Sequence, residues 1–202
     1  MDCQGKCVFV NAPFDDLSLK RIVMPMLFTI IVNGYEPELA LENNNCGQLR
    51  LDKIFKLIKR SELSIHDLSI LGIDKTTKLA RMNMPFELGI DYGLNIEKGK
   101  KIFVMGDSRY DYMKAISDLN GIDIANHSNN TLGVIGCVAR FLNPKEIDKQ
   151  PPLALYYAYI RFQTWLYVAL RSNHGSDVAI DYYNKPEIKN IIFKIKEWIN
   201  IY

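Results

Sequence analysis

Ser61-Glu-Leu-Ser-Ile-His-Asp-Leu-Ser69, followed after a polar connection by Arg81-Met-Asn-Met-Pro-Phe-Glu-Leu-Gly89, decides how this chain is read. The first segment reads as a strand ending in polar groups, the second as a helix with an acid in its first turn. Pro85 suits a first helical position, where its missing donor is not needed and its φ is already set. Phe86, Gly89, Ile90, Gly93 and Leu94 then follow the i, i+3, i+4, i+7, i+8 spacing of a buried stripe. Gly89 and Gly93 should each be unfavourable by roughly 1 kcal/mol against alanine in a helix interior, so a close approach of this helix to a sheet is expected. Glu87 and Asp91, four apart, fall together on the flank of that stripe. Strand and helix together put Asp67 and Glu87 at the same end of a sheet, where α/β folds bind ligands.

Working outward, Cys7-Val-Phe-Val10 is an apolar run that ends in the turn-prone Asn11-Ala-Pro-Phe-Asp-Asp16. Leu17 to Val32 predicts a helix, kinked at Pro25 and stopped by Asn33-Gly34. Glu36 to Leu41 predicts a second strand, Glu42 to Gly47 a loop, and Arg50 to Arg60 an amphipathic helix with Leu51, Ile54, Phe55 and Ile58 inward. Leu63 to Asp67 is the third strand, and Ser69 to Asn83 a polar connection of a length that is uncommon and often functional. Lys101 to Met105 predicts a fourth strand, Tyr110 to Leu119 a helix, Gly121 to Ala125 a short fifth strand, and Thr131 to Leu142 a further helix. Strands alternating with helices imply parallel pairing and right-handed crossovers. The expected class is α/β: a flavodoxin-like, five-stranded parallel sheet flanked by helices, with a C-terminal helical extension.

After Asn143-Pro144 the character changes, and Asp148 to Pro152 reads as a proline-bearing connector. The expected division is an α/β domain over 1–145 and a helical extension over 146–202. Leu153 to Leu170 is apolar and aromatic almost all round, close to the lower length limit for a membrane span. Arg161 near its middle, with Gln163 and Thr164, favours a buried or oligomer-forming helix instead. Pro186 opens a last helix with Ile188, Ile191, Ile192, Ile195 and Ile199 on one stripe. The two helices are expected to pack on the core or to form a homo-oligomer surface.

At 202 residues the chain suffices for one well-buried domain with an appendage. A formal net charge of +2 gives no electrostatic argument for a nucleic-acid partner. Cys3, Cys7, Cys46 and Cys137 are scattered, and no Cys or His pair has zinc-site spacing, so no metal is expected. The N-terminus reaches an apolar strand without a basic region and a cleavable apolar stretch, so a reducing, cytoplasmic setting and no membrane are expected. No Gly-rich dinucleotide fingerprint or phosphate loop is present, which leaves hydride-transfer and kinase chemistry without support.

Each candidate site residue has an ordinary structural role beside its functional one. Glu87 complements the helix dipole or serves as an ionised nucleophile or counter-charge. Asp67 caps a turn or supplies an acid. His66 points away from Leu63, Ile65 and Asp67 on an alternating strand, where a hydrogen-bonded structural histidine is the commoner case. Arg50, Lys53 and Arg81 are solvated surface charges or partners of a diphosphate. Asn11 and Phe14 could hold a ribose hydroxyl and an aromatic base, while Asp15 also fits a structural turn. Asn83 and Asp91 complete the candidate set.

The order Asn11-Ala-Pro-Phe-Asp15, Arg50-Leu-Asp-Lys53, Ile65-His-Asp-Leu-Ser69 and Arg81-Met-Asn-Met-Pro-Phe-Glu-Leu-Gly89 resembles a family of bacterial TIR-like proteins, related in fold to the nucleoside 2-deoxyribosyltransferases. The resemblance covers approximately residues 6 to 145. Pro85-Phe-Glu-Leu-Gly89 is similar to the segment that carries the transferases' nucleophilic glutamate, and both families imply a central role for Glu87. Asp67 resembles the transferase acid that positions or protonates the base. The chain lacks a tyrosine-rich sugar clamp, and its first strand ends in Asn11-Ala-Pro rather than the Ser-Tyr of TIR domains. Both families break an N-glycosidic bond. The resemblance therefore implies a TIR-like NAD-cleaving N-glycosidase, either an NAD hydrolase or a synthase of an ADP-ribose-type signal, acting in antiphage (antiviral) defence with a possible downstream effector protein. NAD would be substrate and no cofactor would be needed. A nucleoside or nucleotide N-glycosidase or 2-deoxyribosyltransferase is the second expectation. A catalytically silent nucleotide-sensing or scaffold domain is the third.

Overall fold

In the computed structural model the described residues are 6–40, 50–69, 82–95, 99–107, 116, 121–145, 151–184 and 186–202. The expected loop at Glu42 to Gly47, most of the Ser69 to Asn83 connection, Arg81, and nearly all of the expected helix at Tyr110 to Leu119 lie outside them. The chain divides into two compact units, residues 1–13 with 35–129 and residues 14–34 with 130–202.

The first unit holds a sheet of β1 (Cys7–Asn11), β2 (Glu36–Leu39), β3 (Leu63–Asp67), β4 (Lys101–Gly106) and β5 (Ala125–Asn126). Its order is β2-β1-β3-β4-β5 and every pairing is parallel, the flavodoxin-like arrangement expected from the alternation of elements. β1 sits between two neighbours and is buried along its whole length, as a continuous apolar run should be in a parallel sheet. The fifth strand falls at Ala125–Asn126, C-terminal to most of the stretch expected for it.

Helices α2 (Arg50–Arg60) and α3 (Asn83–Asn95) of this unit pack on each other and on β1, and α3 also on β3. Helix α1 (Met24–Val32) belongs to the second unit. In α2 the buried residues are Ile54, Leu57 and Ile58, which close on Phe9. Leu51, expected inward, is exposed, because the sheet-facing stripe runs through 54, 57 and 58 and position 51 lies beyond its end.

The expected stripe of α3 needs a larger correction. Its buried residues are Met84, Glu87, Leu88, Asp91 and Asn95, whereas Phe86 is 58% exposed and Gly89 and Gly93 face outward. A Cβ built on either glycine would meet nothing within 4 Å, so no close approach offsets their helix-breaking tendency. The same 3.6-residue period fits both stripes. Ile90 and Leu94 of the expected stripe are half-buried and pack against Phe9, Ile54, Leu57 and Ile58, while the deeper face runs through Met84 and Leu88, which join a core cluster, and Asp91, whose carboxylate finds donors inside.

The second unit is helical among its described residues. A short turn at Asp16–Ser18 and a π-helical segment at Leu19–Val23 lead into α1 (Met24–Val32), followed by α4 (Thr131–Leu142), α5 (Pro152–His174), α6 (Ser176–Asn184) and α7 (Ile188–Ile201). Pro25 lies at the start of α1, and the π segment directly before it absorbs the irregularity that its ring imposes on the preceding turn. Phe28 stacks on Phe162 with ring centroids 5.5 Å apart and contacts Tyr159 and Trp198 at 5.4 and 5.6 Å, an aromatic core drawn from α1, α5 and α7. In α7 the inward residues are Ile191, Ile195 and Trp198, and Ile199 is exposed. No described helix is long and apolar enough to cross a membrane.

Candidate active site

In a sheet of this order the chain leaves β1 in one direction and β3 in the other, and the carboxyl ends of these strands form the topological switch point. Parallel register pairs Asn11 with His66 there, and neighbours in register share a face. Asn11 Nδ2 lies 3.0 Å from His66 Nδ1 and donates to the carbonyl oxygen of Met84 at 2.9 Å, so the end of β1 is tied to the first turn of α3.

Behind Asn11 the network continues inward. His66 Nε2 is 2.9 Å from Asp91 Oδ2, and Asp91 Oδ1 accepts from Asn95 Nδ2 at 2.6 Å and from Lys100 Nζ at 3.0 Å. Lys100 also donates to the Ile58 carbonyl at 2.9 Å. His66 and Asp91 are completely buried. Burial holds the His66 imidazole below its ordinary pKa despite the hydrogen bond it donates to Asp91, so the ring is neutral at pH 7. Burial also works to raise the Asp91 carboxyl, but the hydrogen bond that it accepts from His66, the nearby Ser64 hydroxyl and the Lys100 charge outweigh it and leave the pKa lowered. Ser64 is buried on the same face.

Glu87 stands one turn before Asp91 on α3 and differs from it in every respect. It is 7% exposed, and among the described residues nothing donates a hydrogen bond to its carboxylate. Burial pushes its pKa up to about 7, against an opposing pull from the Arg50 guanidinium at the start of α2. The site thus contains one carboxylate that is fully compensated and one that is desolvated and, among the described residues, receives no hydrogen bond. In a crevice, a carboxylate of the second kind is a candidate for chemistry or for a cationic ligand.

Compared with protein-family models, curated proteins and solved structures, the chain matches none. The arrangement of side chains therefore carries the functional argument.

Strand alternation sends Asp67 to the face opposite His66, and its two oxygens are engaged by Ser69 N at 2.9 Å and His127 Nε2 at 2.9 Å. Asp67 and Glu87 share an end of the sheet, but their side chains leave by different faces. Ser69 Oγ also lies 2.9 Å from His127 Nε2, while His127 Nδ1 accepts from Asn129 N at 3.2 Å. Serine and aspartate meet the same ring nitrogen, so this trio is not a relay in which histidine takes a proton from serine and passes charge to aspartate. It ties the end of β3 to the residue following β5.

Of the expected site residues, the structure brings Asn11, His66 and Asp91 into one network and sets Glu87 and Arg50 within electrostatic reach of each other. Asn83 is the first residue of α3 and exposed, and Lys53 is half-buried in α2. Phe14 and Asp15 belong to the second unit, where Asp15 Oδ1 caps the Asp16–Ser18 turn by accepting from Ser18 N at 3.2 Å. Arg81 is outside the described residues. Sequence reasoning missed Asn95, Lys100 and His127. Asn95 had a signal, since it continues the i+4 row of Glu87 and Asp91. His127 had none, because only tertiary placement brings it to Asp67. No group of three His, Cys, Asp or Glu side chains among the described residues is arranged to hold a metal ion.

Proposed function

We propose that this protein cleaves the N-glycosidic bond of a nucleotide, with NAD as substrate and Glu87 as the carboxylate that faces the sugar. The observation that carries the reading is Glu87, buried on α3 beside a topological switch point, accepting no hydrogen bond among the described residues and with its pKa raised to about 7. Breaking a ribosyl bond builds positive charge on the sugar ring, so a fixed carboxylate stabilises the transition state more than the ground state. It can do so electrostatically or through a covalent ribosyl intermediate. In the second case the carboxylate oxygen attacks the anomeric carbon, the bond to the base breaks with its electron pair leaving on the base nitrogen, and water later displaces the carboxylate.

The state of the two acids favours NAD over a neutral nucleoside. Nicotinamide in NAD carries a positive charge and departs neutral, so no general acid is needed. Its charge also compensates a desolvated carboxylate as the ligand binds. A neutral nucleoside needs a proton on its leaving base, and Asp67 has both oxygens engaged on the other face of the sheet. One observation favours the second reading: a carboxyl with a pKa near 7 can itself be that acid. The direction of the pH dependence separates the two. A silent sensor or scaffold is the third reading, and it requires that Glu87→Gln preserve ligand binding and biological effect.

The setting proposed is the cytoplasm, and the role, drawn from the family resemblance, is antiphage defence by NAD depletion or by an ADP-ribose-type signal passed to an effector. Homo-oligomerisation through the C-terminal helices is part of the proposal, supported by Leu153, Tyr157, Ile160 and Val168 exposed along α5. The test is a product-resolved chromatographic assay of the purified protein with NAD and, in parallel, a nucleoside and nucleotide panel. Nicotinamide release supports the reading, base release from the panel alone moves the protein to the second, and binding without turnover to the third.

A further inference from the structure

The network behind the switch point contains two titratable side chains, His66 and Asp91, that no step of the proposed reaction uses. Both are fully enclosed, whereas Asn11 keeps 4% of its surface exposed. The hydrogens on Asn11 Nδ2 point to the Met84 carbonyl and to His66 Nδ1. A carbonyl can only accept, so Met84 fixes which end of the amide faces inward. His66 Nδ1 must then accept, which leaves the ring proton on Nε2, where it is donated to Asp91 Oδ2. Every group in this chain has one role, and the roles agree. Asn11 Oδ1 takes no hydrogen bond from a described residue and is not among the enclosed polar atoms that lack one, so it lies on the open side at the end of β1.

We propose that His66, held by Asp91, is a positioning residue that locks the Asn11 amide, so that Asn11 Oδ1 is a fixed acceptor for a sugar hydroxyl at the β1–β3 crevice. Without His66 as acceptor the amide can turn over and offer its NH2 group instead. With it, a ligand that lacks the donor leaves an oriented acceptor unsatisfied, which is how a site discriminates strongly against the missing group. The locking stands on the hydrogen bonds alone, while the choice of a sugar hydroxyl rests on the N-glycosidase reading.

His66→Gln separates positioning from support, because the glutamine amide can donate to Asp91 from the place of Nε2 but offers no acceptor in the place of Nδ1. In protein carrying Glu87→Gln to keep the probe intact, calorimetry compares NAD with NAD lacking the 2′- or 3′-hydroxyl of its nicotinamide ribose. The expected preference for NAD over one of the two deoxy forms is about tenfold, the size of one hydrogen bond to an oriented group. It should fall to less than about threefold in Asn11→Ala and in folded His66→Gln. A folded His66→Gln protein that keeps the preference overturns the proposal, as does Asn11→Ala that keeps it. Nitrogen NMR of His66 in the unaltered protein gives a second arm that needs no ligand and no variant. A neutral ring protonated at Nε2 is expected, and a ring protonated at Nδ1 overturns the locking. Failure of NAD to bind at all would count against the N-glycosidase reading, and the NMR result would then judge the locking by itself.

Discussion

Glu87 is a carboxyl that the fold raises rather than lowers, and its linkage to stability follows from that sign. Its pKa rises from 4.5 to about 7 through burial, so between these values the native state holds a proton that the unfolded chain has released. Stability from this group is full below pH 4.5 and is lost as pH rises through 7, a change on the order of 3 kcal/mol. Glu87→Gln should remove that slope, leaving the variant more stable than the parent at pH 8 and similar to it at pH 4.5, as read by chemical denaturation at the two pH values. A variant that is less stable at pH 8 would show that the carboxylate has favourable contacts at this position. Asp91 is the opposite case. Asp91→Ala strips the acceptor from His66, Asn95 and Lys100 in a buried cluster, and a loss of about 3–5 kcal/mol is expected in the same measurement.

At the scale of elements, α3 shows what the sequence disclosed and what it hid. The existence of the helix and its place after β3 were legible from Pro85 and the period of the apolar residues, but the helix starts at Asn83, two residues before Pro85, so Glu87 falls beyond the first turn expected for it. The buried face was not. Hydrophobicity selected Phe86, Gly89, Ile90, Gly93 and Leu94, of which Ile90 and Leu94 do pack on the core, but the sheet also presents Asn11 and His66 to this helix, and Asp91 answers His66. A polar face seeking polar partners has no signature in an apolar count. The outward glycines give a direct check: Gly89→Ala and Gly93→Ala should each stabilise the protein by about 0.5–1 kcal/mol, since a methyl group there meets nothing within 4 Å. Destabilisation would mean that something does cover this face in solution. The parallel sheet was legible from alternation alone, whereas β5 was displaced because two paired residues are too few to show a period. His127→Ala should cost about 1–3 kcal/mol by leaving the buried Asp67 carboxylate without that donor, and native-state hydrogen exchange should accelerate first at β5.

For the molecule as a whole, the site sits where a 2-1-3-4-5 sheet places ligands, and the first unit contains Glu87, Arg50 and the Asn11–His66–Asp91 network. The second unit has its own aromatic core around Phe28, Phe162 and Trp198, together with the exposed apolar residues of α5 on which the proposed self-association rests. If α5 joins copies, Ile160→Lys should shift the sedimentation profile toward the monomer while leaving the circular dichroism spectrum intact. An unchanged profile would remove α5 from the assembly. If an ionised Glu87 drives cleavage of NAD, nicotinamide release measured against pH should rise through about 7 in the unaltered protein and be lost in Glu87→Gln. Equal release by the two proteins, or a rate that falls as pH rises through 7, would contradict it.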